Sequence, residues 1–312
     1  RRKQLPALVA SRPSVSLLMV SRNLDIGFIG IGVLGKGLPL ALAERGYRVV
    51  AAFSRSTAWA QWLADRIPGC SVYASAQECS EAADLVFITT PDSVIEDVAG
   101  SVNWRSGQGV VHCYGGASIE LLEPAAQQGA FTGAFHPFQT FAGLDSPEDA
   151  AARLAGVTFA VEGEGWLGGY LATMAQDLGG HAVSIAGPDR SLYHAAAVFG
   201  CGYVVTLLKS AVSLWESMGL SSEQAIQALI PLTSATLSNV AKEGLKGAAT
   251  GPVIRGDVLT LRSHLETLFQ RSPELVSLYG NLARASLPLA SQGAGPNQLN
   301  AIEELVDHYI SF

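Results

Sequence analysis

The amino-acid sequence predicts an α/β fold, with a doubly wound parallel sheet in its N-terminal part and an all-α C-terminal domain. Up to residue 187, short apolar runs alternate with segments of helical composition, as in parallel sheets whose strands are joined by helices. From residue 188 onward, helical patterns continue and strand signals become rare. We therefore expect a disordered tail at 1–23, a sheet domain at 24–187 and a helical domain at 188–312.

The first expected strand leads directly into a glycine motif. Gly30, Gly32 and Gly35 have the spacing G-x-G-x-x-G, between an apolar run and a segment of helical composition. In that setting Gly30 makes the turn, Gly32 lets a pyrophosphate approach the backbone, and Gly35 lets the helix pack on the strand. The N–H groups of Val33 and Leu34 at the helix start would then bind phosphate charge. The motif predicts a dinucleotide site, the alternative being a purely structural glycine turn.

The loop after the second expected strand, at 48–53, indicates which dinucleotide binds. Ser54, Arg55 and Ser56 follow this strand, and Arg55 lies 20 residues beyond Gly35. An NAD-binding fold usually has an acidic residue about there, which binds the ribose 2′-hydroxyl. A guanidinium flanked by hydroxyls suits a 2′-phosphate instead, because it forms charge-assisted hydrogen bonds. We therefore predict NADP as the cofactor, the alternative being a solvated arginine in an ordinary loop.

The remaining segments of the sheet domain keep the alternation of strand and helix. Because the carboxyl ends of parallel strands meet at one edge of the sheet, we expect Thr90, Pro91 and Gly115 beside the ribose and nicotinamide of the cofactor. The expected elements are helices at 57–67 and 166–178, and strands at 71–73, 84–90, 108–113, 157–161 and 181–185.

The composition excludes several classes of function. With 48% hydrophobic and 15% charged residues, the chain can bury a large core or form an apolar interface. A net charge of −7 argues against nucleic acid as a partner. We expect no membrane span, since we find no stretch of eighteen apolar residues. The four cysteines lack metal-ligand or redox spacing, so we expect no metal site and a reducing, cytoplasmic location.

The first 23 residues are basic and rich in serine, and they contain no acid. This composition resembles that of a transit peptide, although Pro6, Arg12 and Pro13 do not suit a secretory core. The alternative is a disordered tail, or an extension upstream of a start near Met19. We favour the tail or extension.

The helical domain is expected to begin with a long helix at 189–217. This segment is apolar on nearly every face, which is typical of a helix buried on all sides. We therefore predict that it is the spine of the domain and that the protein is a homodimer built on it. Ser221 and Gln224 form a capping box for the next helix, and Asp257 can cap another that runs to residue 268. The last two helices are expected at 274–289 and 298–310.

Two groups of residues in the chain are suited to acid–base chemistry. His136, before a proline in an extended turn with Gln139 nearby, could present its imidazole to a cleft and transfer a proton. The alternative is a histidine that bonds a backbone carbonyl. Tyr193 and His194 form a second pair, in which His194 is the second candidate for the proton carrier, although we favour a core histidine because alanines surround it. We expect Tyr193 and Gln139 to orient the substrate.

An arginine in a glycine-bracketed loop is the candidate anion-binding residue. Arg255 lies between Gly251 and Gly256. It could bind a substrate carboxylate through two hydrogen bonds, or it could pair with Asp257 on the surface. The sequence leaves both interpretations open.

The combined motifs resemble those of one family, the Rossmann-like proteins that carry a C-terminal domain of unknown function, DUF2520. That family is similar in layout to pyrroline-5-carboxylate reductase, 6-phosphogluconate dehydrogenase and prephenate dehydrogenase. The resemblance implies an NAD(P)-binding domain followed by a helical domain that usually dimerises, and it implies no particular substrate. The motifs that carry it are G-x-G-x-x-G at 30–35, FHPFQTF at 135–141, DRSLYHAAAVF at 189–199 and TGPVIRGD at 250–257.

Two comparisons with these families concern the chemistry. His136 and Pro137 resemble the His-Pro step of prephenate dehydrogenases, where the histidine bonds the hydroxyl that is oxidised. Cys201 and Gly202, in contrast, stand where relatives usually have Ser-Asn, and the lysine–asparagine pair of the hydroxyacid dehydrogenases is missing at the matching place.

We therefore expect an NADP-dependent oxidoreductase that acts on a small C–OH/C=O or amine/imine substrate bearing a carboxylate. One alternative is a non-catalytic NADP(H) sensor that acts through its helical dimerisation domain, which the change at Cys201 and Gly202 keeps open. Another is an inactive scaffold, against which the intact glycine motif argues.

Overall fold

A computed structural model describes residues 24–144, 146–290 and 294–311. The tail predicted at 1–23 lies outside these residues. By its internal contacts the chain divides into two compact units, the first ending at Val198 and the second beginning at Phe199. This division lies within a helix, eleven residues beyond the domain boundary that the sequence suggests.

The first unit contains an eight-stranded sheet with the order β3-β2-β1-β4-β5-β6-β7-β8. Neighbouring strands are parallel, except that β6 and β7 are antiparallel. The fold class predicted from the sequence is confirmed. The strands are β1 (Asp25–Ile29), β2 (Arg48–Phe53), β3 (Ser71–Val72), β4 (Leu85–Ile88), β5 (Gly109–His112), β6 (Phe131–Pro137), β7 (Thr158–Gly163) and β8 (His181–Ser184).

Helices cover both faces of this sheet, as the alternating pattern of strand and helix requires. One apolar layer contains the stacked rings of Phe135 and Phe159, whose centroids are 4.6 Å apart. A second layer contains Ile88 and Val110. The helices of this unit are α1 (Val33–Glu44), α2 (Thr57–Ala64), α3 (Ala76–Glu81), α4 (Ile95–Ser101), α5 (Glu123–Ala126), α6 (Pro147–Ala152), α7 (Leu167–Asp177) and α8 (Arg190–Gly200), the last of which runs into the second unit.

Strand β6 corrects one prediction. The sequence indicates an extended turn around His136, whereas the structure places this residue in β6, paired with Ala160 of β7. Gly133 weakens the strand signal because glycine has a low strand propensity. In the fold, the missing side chain has a packing role, since a Cβ at Gly133 would lie 2.9 Å from Leu167 and 3.0 Å from Leu171 on α7.

The second unit is helical, as predicted. Its core lies among α12, α13 and α14 and includes Leu261, Leu265 and Ile302. Two predicted caps are confirmed: Ser221 and Gln224 form a capping box, and Asp257 accepts a hydrogen bond from the Thr260 N–H. The helices of this unit are α9 (Gly202–Ser217), α10 (Ser222–Ala248), α11 (Pro252–Arg255), α12 (Val258–Arg271), α13 (Val276–Ser286) and α14 (Pro296–Ile310).

The prediction of one long buried helix at 189–217 is wrong in two respects. The helix is broken at Cys201, whose φ of −126° and ψ of −77° are not helical, so that α8 and α9 are separate. It is also not buried within one chain, because no residue of α9 is buried. The apolar side chains that the sequence indicates are therefore exposed to solvent: Val205 is 64% exposed, and Leu237 on α10 is 60% exposed.

The stretch Gly187–Ser217 contains an 18-residue window that is apolar enough to cross a membrane, with a mean hydropathy of 1.6. This differs from the expectation that the chain contains no such segment. Length and composition alone are weak evidence, since the core helix of a soluble protein passes the same test. In the described part of the chain, no part of this apolar window is buried.

Candidate functional site

Two glycines of the motif are fixed by close backbone contacts. Gly30 has a φ of +97°, and its N–H donates to the Phe53 carbonyl at 2.8 Å. A Cβ on Gly30 would lie 2.7 Å from the backbone nitrogen of Thr90. A Cβ on Gly35 would collide with the Gly30 carbonyl oxygen, to which Thr89 Oγ1 donates a hydrogen bond. Neither position has room for a side chain.

Gly32 differs from its neighbours because open space surrounds it. It is exposed, it precedes the 12-residue helix α1, and a Cβ built on it would have the Thr89 carbonyl, at 4.0 Å, as its nearest neighbour. Val33 is half exposed beside it, and Leu34 is partly buried. A bare backbone at a helix N-terminus, with free space in front of it, fits a phosphate group. This is the arrangement that the motif predicts.

A buried polar atom lies next to this loop. Thr90 Oγ1 is shielded from solvent and has no hydrogen-bond partner in the described part of the chain. Thr90 and Pro91 follow β4, at the edge of the sheet where Gly30 follows β1. A ligand bound at this edge would supply the partner that a buried hydroxyl ordinarily has.

The loop after β2 carries the residues proposed for the 2′-phosphate. Arg55 is exposed and makes no ion pair among the described residues, and the Ser56 N–H donates to Ser54 Oγ at 3.3 Å. The sequence analysis missed a second cation. Lys36, in the first turn of α1, places Nζ 3.0 Å from the ring centroid of Trp59, in the first turn of α2. This contact holds an ammonium group between the two helices that follow the glycine and arginine loops.

His136 and Tyr193 form the central pair of the second cluster. A hydrogen bond of 2.8 Å joins His136 Nδ1 to the Tyr193 hydroxyl, and the two rings meet edge to face. His136 is near the end of β6, and Tyr193 is in α8. Both belong to the first unit. The structure thus joins the two residues that the sequence suggested separately as proton carrier and orienting group.

Gly115 and His112 determine where the imidazole of His136 lies. A Cβ on Gly115 would be 2.7 Å from that ring, so the ring can occupy its place because residue 115 is a glycine. The fully buried His112 fixes the loop that carries Gly115. Its Nδ1 accepts from the Tyr114 N–H at 3.1 Å, and Nε2, which therefore carries the proton, donates to the Ser118 carbonyl at 3.1 Å. Nothing in the sequence marks His112 beyond its position in an apolar strand.

Burial makes both partners of the central pair neutral at neutral pH. Desolvation, reinforced by the positive fields of His194 and Arg190, lowers the pKa of His136 to about 4. Desolvation raises the pKa of Tyr193 to about 12, although Arg190 acts in the opposite direction. The pair therefore keeps a neutral imidazole beside an intact phenol, an arrangement that can both accept and donate a proton.

Arg190, the first residue of α8, is fully buried. Its Nε donates to Glu162 Oε2 at 3.3 Å, while Nη1 and Nη2 are shielded from solvent and find no hydrogen-bond partner among the described residues. Burial lowers the pKa of this guanidinium, and Glu162 raises it. Leaving charged donors without partners costs free energy on the order of 1–3 kcal/mol each. Sequence reasoning missed Arg190, because nothing in its spacing shows burial.

His194 lies at the margin of the cluster. Its ring meets that of Tyr114 edge to face at 5.8 Å, and it is partly buried. Its positive field acts on Asp92, whose pKa is raised by burial and lowered by that field. His194 therefore borders the site, in contrast to the core histidine that the sequence favours.

Gln139 has no described contact with this cluster, and Arg255 belongs to the second unit. Gln139 is exposed, and its Oε1 accepts from the Thr140 N–H at 2.9 Å. Arg255 ends α11 in the second unit and is exposed, while Asp257 directs its carboxylate to Thr260. The pairing of Arg255 with Asp257 that the sequence allowed is not found among the described residues. The described residues also contain no group of three or more side chains suited to a metal ion.

Comparisons with known proteins identify two domain types in the chain. Residues 11–137 match a Rossmann-like domain, and residues 157–286 match DUF2520, a domain of unknown function. A search of curated protein sequences finds no match.

Similar folds occur among solved structures. A Bacteroides fragilis protein with the provisional name NADP oxidoreductase is 24% identical, with a TM-score of 0.65 over 86% of this chain and 99% of that chain. A reductive aminase from Aspergillus terreus, solved with NADPH and ethyl levulinate, is 16% identical, with a TM-score of 0.61 over 91% and 99%. A pyrroline-5-carboxylate reductase from Streptococcus pyogenes is 17% identical, with a TM-score of 0.57 over 94% and 100%.

Proposed function

We propose that this chain, which joins a Rossmann-like domain to a DUF2520 domain as its motifs predicted, is an NADP-dependent oxidoreductase. It would transfer a hydride to or from a small substrate with a C–OH/C=O or amine/imine group. The observation that carries the proposal is the placement of two features at one edge of the sheet. The open glycine loop follows β1, and the neutral His136–Tyr193 pair lies where β6 ends.

The choice of NADP rests on the cations around the two loops. Gly32 leaves room for a pyrophosphate, and Arg55 and Lys36 offer positive charge for a 2′-phosphate. The reductive aminase of similar fold was solved with NADPH, which supports the same choice. When bound, the nicotinamide would supply or accept the hydride.

The His136–Tyr193 pair would handle the proton that accompanies the hydride. In the reductive direction, Tyr193 donates its phenolic proton to the substrate and recovers one from His136 Nδ1 through their shared hydrogen bond, while His136 Nε2 takes up a proton from solvent so that the imidazole stays neutral. In the oxidative direction, the neutral imidazole of His136 accepts the proton. Because burial, reinforced by the fields of His194 and Arg190, disfavours the imidazolium, the proton would then pass quickly to solvent.

We also propose that the protein is a homodimer built on the second unit. Exposed apolar side chains on α9 and α10 support this, among them Val205, Ile230 and Leu237. Exposed apolar patches of this extent mark interaction surfaces. We favour a second copy over a bilayer because α9 carries Lys209 and several hydroxyl side chains.

A screen of the full chain tests the proposed activity. NADPH and NADP+ would be offered with carbonyls, imines, hydroxyacids and amino acids, and absorbance of the reduced nicotinamide would be followed. Thermal stabilisation by each cofactor would be measured in parallel. Turnover with at least one substrate is expected. Stabilisation by NADPH without turnover would favour a sensor, and no stabilisation by either cofactor would refute the proposal.

A further inference from the structure

The fully buried Arg190 is not explained by its one ion pair. Glu162 accepts from Nε, which leaves the two terminal nitrogens of the guanidinium unused. These nitrogens form the side of the guanidinium that binds carboxylates through two parallel hydrogen bonds. A buried arginine whose function was to bind Glu162 alone would be expected to present that side to the glutamate.

Arg190 also lies next to the proton-handling pair. It precedes Tyr193 by three residues in α8, a spacing that places two side chains on one face of a helix. Its positive field acts on both His136 and Tyr193. A ligand group bound to Arg190 would therefore lie one side-chain spacing from the Tyr193 hydroxyl.

We propose that Arg190 is the carboxylate-binding residue of the substrate site, and that the substrates are small 2-oxo acids, 2-imino acids or their reduced forms. In such molecules the carboxylate and the reacting carbon are adjacent, which matches the short separation of Arg190 from Tyr193. This inference rests on the proposed oxidoreductase function. It assigns to Arg190 the role for which the sequence suggested Arg255.

The shielding of Nη1 and Nη2 has a consequence for binding. A carboxylate has to enter through a local opening, after which both nitrogens gain partners that they lack in the ligand-free protein. Neutral molecules of the same shape would need the same opening, but they would not give Nη1 and Nη2 a charged hydrogen-bond partner. Discrimination between an acid and its amide is therefore the property that distinguishes a carboxylate site from a structural arginine.

The first test compares acids with their amides by thermal unfolding of the full chain. Pyruvate and phenylpyruvate are paired with pyruvamide and phenylpyruvamide, with saturating NADP+, so that no hydride is available for reduction. We expect at least one acid to bind at least tenfold more tightly than its amide. Arg190→Gln should abolish that preference, and Arg255→Gln, the matched control in the second unit, should keep it. Loss of the preference in Arg255→Gln, its survival in Arg190→Gln, or its absence in the parent protein would overturn the proposal.

A second variant tests the same role while Arg190 itself is kept. Glu162→Gln removes the negative charge that partly neutralises Arg190 and keeps the side-chain shape. If Arg190 binds the ligand, this variant should bind the preferred acid several-fold more tightly and its amide unchanged. Unchanged or weaker binding of the acid would show that the Arg190–Glu162 pair is structural and would overturn the proposal.

Failure of this inference can be distinguished from failure of the proposed function. Carboxylate binding is measured without turnover, whereas the function is judged by NADPH binding and hydride transfer. Turnover of neutral ketones with no preference for acids would leave the oxidoreductase intact and refute the role of Arg190. Acid binding that depends on Arg190, without hydride transfer to any substrate, would support the role of Arg190 and refute the oxidoreductase function.

Discussion

The hydroxyl of Tyr193 lies 2.8 Å from Nδ1 of His136, although 57 residues separate the two in sequence. This hydrogen bond links strand β6 to helix α8 within the first unit, and the ring of Phe138 packs on Tyr193 at 5.1 Å. The hydroxyl of Tyr193 can therefore be removed while its aromatic ring, which packs on Phe138, is kept. That separation allows the chemical role of the pair to be tested apart from its packing.

We predict that His136→Asn lowers kcat by about a hundred- to ten-thousand-fold, the usual contribution of a general acid or base. Tyr193→Phe should also lower kcat, because the relay loses its donor while the ring contacts remain. NADPH affinity, measured by calorimetry, should be unchanged in both. Tyr203→Phe, at an exposed tyrosine of α9, is the control. Turnover within a few-fold of the parent in His136→Asn would show that the histidine is structural.

Gly32→Ala separates the folding role of the glycine motif from its binding role. The nearest atom to the added methyl is 4.0 Å away and φ is −80°, so the melting temperature should hardly change. NADPH affinity should fall at least tenfold, because the methyl occupies the space left for the pyrophosphate. Gly100→Ala, which is equally uncrowded and lies in α4, should leave affinity unchanged. Equal NADPH affinity in the two variants would contradict the proposed cofactor position.

Arg55→Ala should weaken NADPH binding and leave NADH binding nearly unchanged. A charged hydrogen bond contributes about 1.5–3 kcal/mol, which corresponds to about a ten- to a hundred-fold loss of affinity. Lys36→Ala should act in the same direction if its ammonium faces the 2′-phosphate. Calorimetry on these variants and on the control Arg262→Ala checks this. Equal affinity of the parent protein for NADPH and NADH would refute the assignment of NADP.

The stability of the first unit should fall on acidification between about pH 6.5 and pH 4. Burial lowers the pKa of His112 to about 4 in the folded protein, so in that window the unfolded chain binds more protons than the folded one. The free energy of unfolding then decreases by an amount on the order of 3 kcal/mol for this residue alone. His112→Asn should reduce the slope in denaturant titrations, whereas His181→Asn, at an exposed site on β8, should not. If the free energy of unfolding changed with pH by the same slope in both variants, the pH dependence could not be assigned to His112.

Light scattering should give twice the 32.6 kDa mass of the chain at micromolar concentration and without detergent. Val205→Asp, at a 64% exposed site on α9, should shift the population to monomer, because it places a charge in the proposed interface. Leu259→Asp, at an 80% exposed site on α12, is the control. A monomeric parent protein, or one soluble only with detergent, would contradict the proposed dimer.

The sequence predicts those features whose signals are local. The turn at Gly30 and the caps at Ser221 and Asp257 depend on neighbouring residues, and the structure has all three. The break at Cys201 was missed because the apolar pattern continues through it, and a hydrophobic periodicity does not report the backbone angles.

The composition of the candidate site is harder to predict because it depends on tertiary contacts. His136 and Tyr193 were found by residue type, but their hydrogen bond requires β6 to be a strand, which the glycine and alanine before His136 conceal. Arg190 resembles an ordinary charged residue at a helix start. Its burial follows from the position of Glu162 on β7, which no pattern in either segment encodes.

The pairing of β7 with β6 has a consequence for how the chain selects its correct fold. Glu162 is aligned with Ala134 in this antiparallel pair and reaches Arg190 from there. A slip of one residue would turn every side chain of β7 to the opposite face of the sheet. Arg190 would then be a buried charge without a counter-ion, at a cost of about 3–5 kcal/mol. The ion pair thus favours the correct register of β7. A misaligned sheet would leave Arg190, which begins a helix and follows Glu162 by 28 residues, without its counter-ion.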